Sequence, residues 1–509
     1  MIENHMVMED SAWKNPHEQE EITIDLEEID PTTNSETPPK KIESITSGGI
    51  TITKQEFWND IINHCVKKEW KQAVNMASDN IILFDKFVTM FDTEELWYYE
   101  AGVYKPVGDS IIKHILQSEE SISIHLNKNF IAEVIASVKR KTYIQREDFE
   151  APINLICVKN GIFDLKEKKL IPHSPNYYFK SKINVAYKPK ADCPHIKKFI
   201  SEIVEEKHYY TAFEIISYMM YRSHFIQKAF MLSGDGDNGK SRYIDLIECF
   251  VGKENLSNEQ LQDLCHNGFS KAELYGRLGN LCADLPATIM ENTGDFKKLT
   301  GYDTISAQRK FAHPFGFKSY AVMVFSANEV PESKDNTDAF YKRWEIIEFP
   351  FKFRSDLPDK EYVGNIKKAD KNILEKLTTK EELEGLLKVC IDLLIDMLDR
   401  QDFKYVTPLE EIKIKYNLKS NSAVVFVENY LTDDYEFGSD EEPFVIKDYV
   451  WKEYLKFCKY NHTMHKSSPI FFREIKERWG ATTEKKTIEL GERKNCFVGI
   501  RYLASWEHK

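Results

Sequence analysis

Residues 228–252 read KAFMLSGDGDNGKSRYIDLIECFVG, and the rest of the chain is placed by what this stretch is. Ala229, Phe230, Met231 and Leu232 form a short apolar run ending in a glycine turn, the pattern of a buried strand. Gly234, Asp235, Gly236, Asp237, Asn238, Gly239, Lys240 and Ser241 then match G-x-x-x-x-G-K-[ST] in full. Beyond them Tyr243, Ile244, Leu246, Ile247 and Phe250 recur at helical spacing, and Gly252 marks a stop. Strand, glycine loop and helix is the context in which such a loop cradles phosphate. Glycines let the backbone amides approach phosphate oxygens, and the helix N-terminus turns its positive end toward them. In that reading Lys240 reaches the β- and γ-phosphates of ATP and Ser241 gives its hydroxyl to Mg²⁺. Arg242, in the first helical turn, completes the nucleotide-binding set. The plainer alternative is a Gly/Asp-rich surface turn ahead of an ordinary helix, and the flanks weigh against it.

At 509 residues the chain is long enough for about three domains. No run of about 18 apolar residues suggests a membrane span, and the acidic N-terminus lacks the pattern of a signal peptide. Nine scattered cysteines without a C-x-x-C pair suit a reducing, cytoplasmic setting with buried free thiols. Cys458, His462 and His465 are spaced like part of a zinc site that would need a distant ligand such as Cys496; helix-end polar residues are the plainer reading. The net charge of −13 argues against a nucleic-acid binder only until it is located. Residues 1–48 hold twelve Asp/Glu against three Lys, so the remainder is near −4 and leaves room for basic patches.

Four regions follow from a pass along the chain. Residues 1–50, acidic and proline-bearing, read as a disordered tail. Residues 51–193 read as an N-terminal α/β domain. It has a helix over 54–75 with Phe57, Ile61, Ile62 and Val66 on one face, a hairpin turning at Ala101 and Gly102, and a strand–turn–strand over 155–165. Residues 194–400 alternate helices and apolar strands, including 278–282 and 320–326, as an α/β sheet covered on both faces does, and end in a largely helical stretch over 371–398. Residues 401–509 read as a charged connector over 408–421, three helices, and a hairpin formed by 486–492 and 496–503, the outline of a winged helix.

A phosphate loop needs partners: an acid for Mg²⁺, a polar group for the attacking water, and a cation for the transition state. Asp284 follows the apolar strand 278–283, Asn328 ends the strand 322–327, and Arg343 stands just before Ile346 and Ile347. Loop, single acid, polar strand tip and late arginine, all within about 110 residues, resemble the superfamily 3 helicases. The segment from Lys298, Leu299, Thr300, Gly301, Tyr302 and Asp303 to Arg309 and Lys310 is similar to that superfamily's extra motif. The closer likeness is to the branch shared by phage and plasmid primase-helicases and the poxvirus primase-helicase. It rests also on Ser326–Pro331 (SANEVP), Asn160–Leu165 (NGIFDL), Pro172–Ser174 (PHS) and Tyr187–Pro189 (YKP), and covers roughly residues 50–355.

The resemblance implies a P-loop AAA+-like helicase core within an α/β chain, with ATP and Mg²⁺ as cofactors. It implies a homo-hexameric ring around single-stranded DNA, with duplex bound at the C-terminal winged-helix-like domain. Lys240, Asp284, Asn328 and Arg343 become the catalytic set, Ser241 and Asp284 the metal ligands, and Arg309, Lys310 and His313 the DNA contacts on a channel hairpin. Solvated surface charges are the plainer reading of Arg309 and Lys310, and a turn cap that of Asp303. Two departures stand out. Relatives often pair two acids where Asp284 is alone, and often carry a primase domain that the residues before the motor do not offer, so a separate primase partner is expected. The rival readings are an ATP-switched origin-binding or assembly factor that never unwinds, and a P-loop kinase.

Overall fold

The computed structural model describes residues 44–47, 50–118, 126–234, 236–286, 288–291, 293–327, 330–358, 361, 363–433, 443–461, 463–488 and 492–503. Most of the acidic tail, with Asp235, Asn328 and His462, lies outside them. The last part of that tail contains two short strands, Ser44–Ser47 and Ile50–Thr53, paired antiparallel. The chain divides into two compact units, one ending at Asp148 and the other beginning at Phe149, each mixing helices and strands.

In the first unit the helix expected over 54–75 is two, Lys54–Val66 and Trp70–Phe84, interrupted where Lys68 takes φ 61°. The first buries Trp58, Ile61 and Cys65 and leaves Val66 63% exposed, so the face inferred from sequence is rotated. The hairpin at Ala101 and Gly102 joins Leu96–Glu100 to Val103–Lys105 as expected.

The second unit starts with three antiparallel strands, Leu155–Val158, Gly161–Asp164 and Lys169–Ile171. Their Ile156, Val158 and Phe163 share one buried cluster with Phe199, Phe230 and Val324. A boundary at 193 would cut through this core, which is why the units part at 148 instead.

The sheet beneath the glycine loop has the order Leu256–Ser257, Gly279–Cys282, Val322–Ala327, Ala229–Ser233, Trp344–Glu348, and every pairing in it is parallel. Ala229–Ser233 and Val322–Ala327 are buried along their whole length, which is what continuous apolar runs in a doubly covered parallel sheet imply.

The stretch read as a charged connector is a helix, Leu409–Ser420, that covers the edge strand Trp344–Glu348. It buries Ile412 and Tyr416 one turn apart; Tyr416 packs 5.3 Å from Phe340 and 6.0 Å from Trp344 and donates its hydroxyl to the Pro331 carbonyl at 2.8 Å. The edge strand's Glu345 is fully buried. It accepts from Lys228 Nζ at 3.3 Å and from the Thr407 hydroxyl, so its charge is paired rather than stranded.

The three C-terminal helices are Ser422–Tyr430, Lys447–Tyr460 and Ser468–Trp479, close to expectation. The hairpin is not where sequence put it. Thr482–Thr487 pairs with Arg493–Val498, and Phe444–Ile446 adds a third strand. These elements enclose their own core, with Tyr454 and Phe471 stacked 4.2 Å apart. The two cysteines of the supposed zinc set are separately engaged: Cys458 faces Ser422 Oγ at 3.8 Å and Cys496 the Lys494 carbonyl at 3.5 Å. Among the described residues no cluster of metal-ligating side chains occurs, and no helix is long and apolar enough to cross a membrane.

Helix Lys380–Arg400 packs on Tyr209–Met219 and on Pro194–Ile203. It approaches the chain before Pro194 so closely that a Cβ on Gly385 would lie 2.2 Å from the Asp192 carbonyl. In an open helix Gly→Ala gains about 1 kcal/mol. Here rigid backbone meets the new methyl, so Gly385→Ala is expected to lose about 1–3 kcal/mol, measured by denaturant unfolding. A gain in stability would mean that the two segments do not touch.

Candidate functional site

The glycine loop leaves the carboxyl end of the interior strand Ala229–Ser233 directly after Ser233, the edge where parallel α/β sheets bind ligands. Gly239, at φ 89°, opens helix Lys240–Val251, and a Cβ there would stand 2.7 Å from Ile203 Cγ2. Conformation and space thus both require glycine at this position. Lys240 is 6% exposed; its ammonium donates to the Gly234 carbonyl and its N–H to Asn238 Oδ1 at 3.4 Å. The buried Asn238 Nδ2 has no hydrogen-bond partner among the described residues. Arg242 is turned outward and pairs with Asp245 at 2.9 Å.

Gly236, Asp237, Asn238, Gly239, Lys240, Ser241 and Arg242 line a cavity of about 700 Å³, and Asp284 and Ser326 form part of its far wall. Asp284 is exposed, two residues past the strand Gly279–Cys282; Ser326 lies within Val322–Ala327. Asp235 and Asn328 belong to the expected set but fall outside the described residues. A loop of amides, one ammonium, a hydroxyl and a carboxylate on one cavity is a donor set that fits a nucleoside triphosphate with Mg²⁺, a hard cation that takes oxygen ligands.

Arg343 is not part of this cavity. Its neighbour Trp344 pairs with Ala229, at the amino ends of the strands, while the loop begins beyond Ser233 at their carboxyl ends. Some 15 Å of strand separates the two. Arg343 Nη1 donates to the Thr300 hydroxyl at 3.2 Å, close to the C-terminal end of helix Gly294–Gly301, where a cation is favoured. The Asp303 charge lies nearby and opposes the fall in Arg343 pKa that burial causes. The carboxylates that follow Arg343 in the chain, Glu345 and Glu348, are bonded elsewhere, Glu345 to Lys228 at 3.3 Å and Glu348 to Lys419 at 3.4 Å.

Thr304–Ala307 and Phe315–Lys318 form the expected antiparallel hairpin. Arg309 is half-buried, with its guanidinium 6.0 Å from the Phe315 ring centre, and burial lowers its pKa. Lys310 and His313 are exposed. Sequence reading did not single out Phe311, which is 96% exposed beside Lys310, or the half-exposed Phe269, which shares a 480 Å³ hollow with Arg309 and Lys310. The available signal was an aromatic directly after a basic pair, the combination that holds single strands by stacking and phosphate contact.

A family model described as D5 N terminal like matches residues 65–205, and one described as a family of unknown function (DUF5906) matches 232–343, the span from loop to Arg343. Putative helicase 121R of Invertebrate iridescent virus 3 is 24% identical over 327 residues, 58% of this chain and 34% of that protein. Putative helicase L207/L206 of Acanthamoeba polyphaga mimivirus is 27% identical over 210 residues, 39% of this chain and 22% of that protein. The chain is similar to these viral putative helicases. It spans about a third or less of the length of these curated relatives. Among solved structures, the apo A form of the NrS-1 C-terminal region aligns over 82% of this chain and 97% of that one, at 14% identity and a TM-score of 0.44.

The base of the hairpin is tied to the segment ahead of the loop's strand through Tyr302 and the buried His224. Tyr302 donates its hydroxyl to the Arg222 carbonyl at 3.3 Å and its ring lies edge-on to His224 at 6.3 Å. Burial pushes His224 down to about 4, with the Arg343 charge adding to the effect. The unfolded chain therefore binds a proton on this histidine from about pH 6.5 downward while the folded chain does not, so stability falls on acidification across that window. Relative to the wild type, His224→Phe is expected to lose on the order of 3 kcal/mol less between pH 7 and pH 4, as read from urea unfolding at each pH. Identical pH slopes would exclude His224 as the titrating group.

Proposed function

We propose that this chain is an ATP-driven DNA translocase of a viral or other mobile-element replication helicase, working as a homo-hexameric ring with a separate primase. The observation that carries this reading is the division of the motor. Loop and Asp284 share one cavity, while Arg343 stands at the opposite ends of the strands and has no route to its own subunit's phosphates. An arginine so placed is of use to a neighbour's nucleotide, which makes hydrolysis depend on assembly. The strand between the loop's strand and that of Asp284 ends at Ala327, and Asn328, next in sequence, is the residue whose amide would orient the attacking water in an AAA+-like superfamily 3 core.

In the ring, Ser241 and Asp284 would hold the Mg²⁺ that accompanies ATP, and Lys240 with the neighbour's Arg343 would stabilise the charge on the transferred phosphoryl group. Arg309, Lys310 and His313 grip one DNA strand, with Phe311 beside them. The C-terminal elements are read as a winged helix that takes duplex DNA. Support comes from residues 447–501, which hold thirteen Lys/Arg against seven Asp/Glu in a chain of net charge −13. Free thiols throughout the described residues suit the cytoplasm of a host cell.

A second reading, an ATP-switched assembly factor without unwinding, is favoured by the bond between Arg343 and Thr300, which would then be a fixed latch. Mixing separates the two. Lys240→Ala is expected to lower ATP turnover by on the order of a hundredfold or more, and Arg343→Ala by about a thousandfold with ATP binding kept. Combined, the two proteins form interfaces with one intact Lys240 and one intact Arg343, and part of the turnover returns. No recovery despite co-assembly would leave Arg343 a latch. The DNA grip is tested by Lys310→Ala, in which stimulation of ATP hydrolysis by single-stranded DNA and displacement of a forked strand are both expected to disappear. Normal displacement would remove the hairpin from the mechanism.

A further inference from the structure

The loop, Ser241 and Asp284 account for only part of the lining of the 700 Å³ cavity. Phe199, Phe353 and Ile373 line it too, as do Lys368 and Lys371. These residues belong to no motif. Phe353 lies in the strand Lys352–Arg354, which runs on from the last strand of the sheet and pairs parallel with Ile366–Lys368.

Two contacts hold this pair against the nucleotide cavity. The Phe353 N–H donates to the Asp237 carbonyl of the glycine loop at 2.7 Å. Lys367 Nζ donates to the Glu202 carbonyl, at the end of the helix carrying Phe199, at 2.7 Å. The Phe353 ring thereby comes to Gly239, with Cε2 3.7 Å from the point where a Cβ would sit. The phosphate-binding half of the cavity is polar, whereas Phe199, Phe353 and Ile373 offer flat and aliphatic surface that has nothing to give a phosphate. Of the carboxylates lining the cavity, Asp370 already accepts from Lys376 Nζ at 2.6 Å and from the Asn372 N–H at 3.0 Å, and Glu202 lies 3.9 Å from Lys198. What Phe199, Phe353 and Ile373 add is stacking area for a planar group.

We propose that Phe353 packs against the base of the bound nucleotide, with Phe199 and Ile373 completing the wall, so that the site distinguishes a nucleoside triphosphate from a bare polyphosphate. The inference rests on reading the glycine loop as a nucleotide site. It adds that affinity is divided between a phosphate half shared by all triphosphates and an aromatic half that needs a planar base.

The test titrates the full chain with magnesium ATP and with magnesium tripolyphosphate by calorimetry. Wild type is expected to bind ATP roughly tenfold or more tightly than tripolyphosphate, the scale of one aromatic stack. Phe353→Leu, which keeps bulk without the ring, and Phe353→Ala should lose that advantage for ATP and keep tripolyphosphate affinity. Phe353→Tyr should restore it. Equal affinity of wild type for both ligands, or undiminished ATP preference in Phe353→Leu, overturns the proposal while leaving the nucleotide site standing. Loss of both ligands in Phe353→Leu together with Phe353→Tyr also overturns it, since the residue would then only support the loop. If wild type binds neither ligand, the nucleotide site itself is refuted and this inference falls with it.

Discussion

A parallel sheet has two unlike ends, and that polarity governs this molecule. Every strand of the five-stranded sheet points the same way, so residues that follow strands collect on one edge and residues that precede them collect on the other. The glycine loop and Asp284 follow strands. Arg343 precedes one. No side-chain rotamer can bring the two groups together within one chain, because the separation is built into the length of the strands. The sheet holds this geometry because its central strands are buried on both faces and its edge strand is sealed by helix Leu409–Ser420, with the buried Glu345 neutralised by Lys228 and Thr407.

The parts legible in the sequence are those where chemistry or periodicity constrains residue type. The glycine loop needs a fixed spacing, so its strand and helix followed at once. The buried parallel strands show as unbroken apolar runs, and the hairpin at Ala101 and Gly102 shows through Gly102, the residue type tolerant of positive φ. What escaped has physical reasons. Helix Leu409–Ser420 buries little more than Ile412 and Tyr416 among charged residues, so its period is faint. The strand Thr482–Thr487 is exposed almost throughout and shows no alternation, which moved the C-terminal hairpin by several residues. The break at Lys68 is set by a single positive φ in a lysine, a residue type that gives no warning of it.

The site divides in the same way. Lys240, Ser241 and Asp284 stand out in the sequence because the roles proposed for them demand those side chains, and all three line one cavity. Phe311 and Phe269 were passed over because an aromatic in a sequence is most often core, and only exposure distinguishes these two. Phe353 was invisible for another reason. Its link to the loop is made by its amide, and every residue but proline has one.

That last feature changes what variation at the site can mean. A contact carried by backbone atoms survives almost any replacement of the side chain above it, so the register between Lys352–Arg354 and the glycine loop is insulated from drift in sequence. Alanine scanning would pass over it, since alanine donates the same N–H; only proline at 353 removes the donor. Relatives can therefore diverge widely across this segment in composition while keeping the same architecture, and the residue at position 353 is left free to be chosen for the ligand alone.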